Sequence, residues 1–182
     1  MSGLWKLYWL VVVATLGVYA VMLGWSLPFL TTAASGLLPF DMRPMGYTPP
    51  QGRDFLAALF VEGPAARDFY IGTQHRLDLA FPALVGISLA VPLINLSRGW
   101  PWILRWVLVM MPWLGAGFDY AENAMVGGML RALPDLPSDK ILTAASQITV
   151  MKSGLITVSI LVLLALLALA AVKKFRAKRG SQ

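Results

Sequence analysis

The chain has 182 residues, 58% hydrophobic and only 13% charged, with a formal charge of +6. Its mean hydropathy of +0.68 lies above that of an ordinary soluble domain. It contains no cysteine, which excludes disulfides, thiol nucleophiles and thiolate metal sites.

Four apolar runs, near 7–30, 77–96, 103–125 and 155–172, are each sufficient to cross a bilayer at roughly 20 residues per crossing. They predict an all-α, polytopic membrane protein with four transmembrane helices in one domain, 1–182. The helices are expected at about 4–30, 65–96, 101–131 and 139–175, with an outer loop at 31–64. Five of the cations fall in 173–179, directly after the last run, which is the pattern of a topology signal and not of a nucleic-acid-binding surface. Lys6, Arg98 and Arg105 share that side if four crossings bring the termini together, and all nine acids lie in the other loops or outward helix halves. Both termini are therefore expected in the cytoplasm.

The first helix opens with Trp5, Tyr8 and Trp9, an interfacial anchor. The run is too long and too rich in tryptophan for a cleavable signal, so it is expected to be retained. Pro28 leaves the Gly24 carbonyl without a helical donor and predicts a bend. Pro39, Pro44, Pro49 and Pro50 punctuate the loop after it. Within that loop, 51–61 places Phe55, Leu56, Leu59 and Phe60 on one side and Arg53 and Asp54 on another. The spacing predicts a short amphipathic helix at the outer surface, a lid or a plug for the bundle mouth.

Gly63-Pro64 starts the second long helix, whose first turns carry Arg67, Asp68, Gln74, His75 and Arg76. Pro82 stands four residues after Asp78 and cannot donate to its carbonyl. An acid and a freed carbonyl then share one position, an arrangement that builds ion and ligand sites in membrane helices. The turn from Ser97 to Pro101, with Trp100, Trp102 and Trp106, makes a second aromatic belt. The third helix runs into Gly-Ala-Gly-Phe-Asp-Tyr-Ala-Glu-Asn at 115–123. Asp119, Glu122 and Asn123 project from one face there, and in a membrane such groups turn toward protein or a watered cavity. Gly115 and Gly117 are expected to admit a neighbouring helix. Ser138 is a plausible N-cap for the last helix, which carries a stripe of Ser146, Thr149, Ser153 and Thr157 beside Lys152.

Counting depth along the helices brings His75, Arg76, Asp78, Asp119, Glu122, Asn123 and Lys152 to one level. Three uses are open. In a structural network the acids neutralise against Arg76 and Lys152 while Asn123 serves leftover carbonyls. In a binding pocket for a small lipid, amphiphile or ion, the ligand-binding residues are His75, Asp78, Asp119, Glu122, Asn123 and Lys152. In a lipid isomerase or hydrolase, Asp119 or Glu122 moves the proton, so whether the protein is an enzyme stays open. A divalent metal on His75 and the acids lacks a supporting motif such as H-E-x-x-H, and an Asp78–Asp119 protease dyad lacks Gly-x-Gly-Asp. No metal is assigned, and no P-loop, dinucleotide fingerprint or G-x-S-x-G names a cofactor or reaction. The expected partners are membrane lipid and a small amphiphile, with no nucleic acid.

The segments Gly46-Tyr47-Thr48, Asp78-Leu79 with Phe81-Pro82, and Phe118-Asp119-Tyr120 with Glu122-Asn123 carry a resemblance. From the first loop through the third helix, the chain resembles a family of bacterial four-helix integral membrane proteins without an assigned activity. The resemblance implies the bacterial inner membrane and supports this choice of residues.

Overall fold

The computed structural model describes residues 3–179, which form five helices with no strand among the described residues. They are α1 (Gly3–Ala33), α2 (Pro49–Glu62), α3 (Pro64–Leu96), α4 (Trp102–Ala132) and α5 (Asp139–Arg179). Three of them, α1, α3 and α5, are long and apolar enough to cross a membrane. At 31 residues α4 has the length. Arg105, Asp119, Glu122 and its tryptophans hold down its hydropathy. Leu7, Leu10 and Leu16 on α1 and Leu161, Leu164 and Leu167 on α5 are exposed. Such continuous apolar faces suit a lipid solvent and not water.

Helix α4 packs along both α3 and α5, and α3 also touches α5. Helix α1 packs mainly along α3, and a cleft opens between α1 and α5. The densest core lies at the end of the bundle that carries α2. There Phe55, Leu56 and Leu59 are fully buried among Phe40, Tyr70, Leu130 and Leu142. Fully burying such a side chain contributes about 1.5–3 kcal/mol, so α2 is fastened to the bundle through this face. Its start follows from Pro49 and Pro50 in the first turn, with Gln51 Oε1 accepting from the Thr48 N–H at 2.9 Å. Phe60, expected on the apolar face, turns outward and is 46% exposed. Arg53 pairs with Asp139 of α5.

Two helices contain a π-helical turn, Met22–Ser26 in α1 and Tyr70–Gln74 in α3. The first of these turns contains Gly24, whose carbonyl Pro28 leaves without its helical donor, and α1 continues past it to Ala33. In α3, Pro82 and Pro92 each remove the helical donor of the carbonyl four residues back. Both carbonyls receive a side chain from a neighbouring helix. Asn123 Nδ2 of α4 donates to Asp78 O at 3.3 Å, and the Tyr8 hydroxyl of α1 donates to Ser88 O at 3.2 Å. The Thr15 and Ser88 hydroxyls, 2.9 Å apart, add a second tie between α1 and α3.

Candidate functional site

Lys152 is the centre of the polar layer. Its Nζ lies 3.0 Å from Asp119 Oδ1 and 3.6 Å from Asp41 Oδ1, and it also contacts Glu122 Oε2. Glu122 is fully buried, and the Thr149 hydroxyl donates to its Oε1 at 2.6 Å. Helix α4 supplies Asp119 and Glu122 from one face, α5 supplies Thr149 and Lys152 one turn apart, and the loop before α2 supplies Asp41. Gly115 allows this closeness, since a Cβ there would come 2.8 Å from Ile156 Cδ1 of α5. A Cβ at Gly117 would meet nothing within 4 Å, so that glycine does not serve the contact expected of it.

Asp78 stands beside this cluster. Gln74 Nε2 donates to its Oδ1 at 2.9 Å, across the end of the π-helical turn. His75 faces backbone on both sides, with Nδ1 3.1 Å from Tyr70 O and Nε2 3.0 Å from Asn123 O. It therefore joins α3 to α4 and is not among the residues that border the two cavities at this layer. Arg76 is exposed and enters none of the ion pairs among the described residues, contrary to its expected part in neutralising the acids. The neutralising part falls to Lys152, and Asp41 adds a further carboxylate around it.

Two cavities of about 430 Å³ each meet at this layer. The more polar one carries Asp41, Asp78, Asp119, Lys152, Ser153 and Thr157 on a wall otherwise made by apolar side chains that include Met22, Leu23, Leu27 and Met42. The apolar one runs down the cleft between α1 and α5, past Leu16, Val85, Leu89, Ala116, Ile156 and Ile160. Asp119, Tyr19, Phe81 and Ile156 border both. The Tyr19 and Phe81 rings stack at 5.6 Å between centroids and 10° between planes, at the junction.

Asp41, Gln74 and Tyr70 are participants that sequence reasoning missed. Phe40 is fully buried, and this roots the 3-10 turn Phe40–Met42 so that Asp41 reaches Lys152. The Tyr70 hydroxyl donates to Asp41 Oδ2 at 3.1 Å. The same loop is pinned by the Tyr47 N–H, which donates to Ser146 Oγ at 2.8 Å. Gly46 precedes it at φ +84°, where a Cβ would lie 2.7 Å from Ser146 Oγ. Burial, then the carboxylates of Glu122 and Asp41, push the Tyr47 phenol above the ordinary tyrosine value.

Chemically, this is a set of carboxylates sharing one ammonium, at the head of an apolar slot. Among the described residues no three His, Asp or Glu side chains gather in a way that could hold a metal ion. The ammonium itself occupies the space between Asp41, Asp119 and Glu122. No protein-family model, curated protein or solved structure matches the chain.

Proposed function

We propose that this protein is a four-span protein of the bacterial inner membrane, with both termini cytoplasmic, that binds a small lipid or amphiphile in an outward-facing pocket. The membrane setting draws on the three apolar helices, the family resemblance and the cationic segment 173–179. Helix α4 is the fourth span, its acids turned into the bundle. The observation that carries the binding reading is the junction at Asp119, where a polar cavity continues into an apolar one. Ligand pockets have this anatomy and fall between roughly 300 and 1,000 Å³. The gap between α1 and α5 supports lateral access from the bilayer.

Native mass spectrometry of the protein released from lipid nanodiscs tests this reading. A retained amphiphile is expected in the wild type and is expected to be lost on Ala116→Trp, which fills the apolar cavity. A wild type without any retained species would sink it. Membrane-impermeant labelling in the cysteine-free background tests orientation: Met45→Cys should react in intact spheroplasts and Arg98→Cys only after lysis.

A second reading, a lipid-modifying enzyme, is favoured by the Asp78 carboxylate at the polar cavity, a group able to give or take a proton there. Lipid analysis of a deletion strain complemented with Asp78→Asn or Asp119→Asn separates the two. Altered lipids that only the wild type restores would favour catalysis.

A further inference from the structure

We propose that the pocket selects an amphiphile whose head group is an organic cation, such as an ammonium, held by Asp78. This rests on the amphiphile-binding reading and names the chemistry of the head. The polar cavity is bounded by three carboxylates, Asp41, Asp78 and Asp119, against one cation, Lys152. That cation is already engaged by Asp41, Asp119 and by Glu122 behind it. An anionic head would face three carboxylates and an ammonium with its neighbours in place.

Asp78 supplies the independent observation. Only 4% of it is exposed, Gln74 occupies Oδ1, and Oδ2 has no hydrogen-bond or ion-pair partner among the described residues. A carboxylate so enclosed is costly without a compensating group, and this one borders the cavity. The Gln74 carboxamide oxygen beside it is fully buried and has no hydrogen-bond partner among the described residues. A cationic head carrying N–H donors satisfies what Asp78 lacks.

The junction favours the same charge. Tyr19 and Phe81 border both cavities, and aromatic faces attract cations, more strongly where water is excluded. A bare inorganic cation would leave the apolar cavity without a purpose. A head at Asp78 with its tail beneath the Tyr19–Phe81 stack uses both.

The test places the full chain in phosphatidylcholine nanodiscs with three photoreactive probes of equal chain length, bearing an ammonium, a hydroxyl or a carboxylate head. Saturation is expressed per nanodisc-bound probe, which cancels differences in membrane partitioning between the heads, and the variants are compared in identical nanodiscs. The ammonium probe is expected to saturate the wild type at about tenfold lower concentration than the hydroxyl probe. Asp78→Asn should remove most of that advantage by weakening the ammonium probe far more than the hydroxyl probe, while Asp78→Glu should keep it. Equal saturation by ammonium and hydroxyl probes, or a preference for carboxylate, overturns the cationic head and leaves amphiphile binding standing. No saturable labelling by any probe takes down the amphiphile reading itself. If Asp78→Asn loses every probe, the wild-type preference alone decides.

Discussion

The side-chain amide of Asn123 donates to the main-chain oxygen of Asp78 at 3.3 Å, joining α4 to α3. That oxygen is open because Pro82 has no N–H to give it. Asn123→Ala should therefore leave a carbonyl unsatisfied and lower stability by about 1 kcal/mol. In a Pro82→Ala background the restored backbone N–H takes over, and the same change should cost less than half as much. A double-mutant cycle of unfolding in detergent measures the difference. Equal costs in the two backgrounds would show that the amide acts elsewhere.

Lys152 is the hub for three carboxylates, and truncating it strands them. Breaking one side of a buried ion pair costs about 3–5 kcal/mol, because the remaining charge loses its compensation. Lys152→Met is expected in that range, seen as a lower yield and unfolding midpoint. Adding Asp119→Asn and Glu122→Gln should recover more than half of the loss. A single variant as stable as the wild type would mean the cluster is already neutral without the lysine.

Where chemistry is local, the sequence was readable. The apolar runs predicted helices that the structure places within a few residues at most ends. Pro82 disclosed the open Asp78 carbonyl, and the spacing of Asp119 and Glu122 put both on the face that meets Lys152. Asp41 was not readable, since its position depends on Phe40 buried beneath α2, a contact between segments distant in sequence. Gln74 and Arg76 were hidden by the π-helical turn Tyr70–Gln74. One residue more per turn rotates the remainder of the helix by about 100°, so a regular helical count misplaces faces across it. The two glycines at 115 and 117 looked alike in sequence. Only the position of α5 separates them.

That difference is itself testable. Gly115→Val should force Ile156 and α5 away from α4 and destabilise by about 1–3 kcal/mol, the usual cost of overpacking. Gly117→Val faces open space and should stay within about 0.5 kcal/mol of the wild type. Ile156→Ala combined with Gly115→Val should regain stability by vacating the contested space. Unfolding midpoints of the three variants decide it, and equal sensitivity at both glycines would contradict the close approach.

Tyr47 ties the loop to an alkaline response. Its ring is buried, its hydroxyl has no hydrogen-bond partner among the described residues, and its phenol is held above the ordinary tyrosine value by burial and by the Glu122 and Asp41 carboxylates. An unfolded tyrosine releases its proton near pH 10, roughly, while the folded chain keeps this one. Above that pH the folded state binds more protons than the unfolded state, so stability falls as pH rises. The contribution is complete below the unfolded value and disappears as pH climbs through the folded one. Tyr47→Phe has no proton to release and no buried hydroxyl to leave unpaired. At neutral pH its unfolding midpoint should match or exceed that of the wild type. Above about pH 10 its midpoint should decline less steeply, the other tyrosines being common to both proteins. Parallel alkaline curves with a lower Tyr47→Phe midpoint throughout would show that the hydroxyl stabilises the fold through a partner after all.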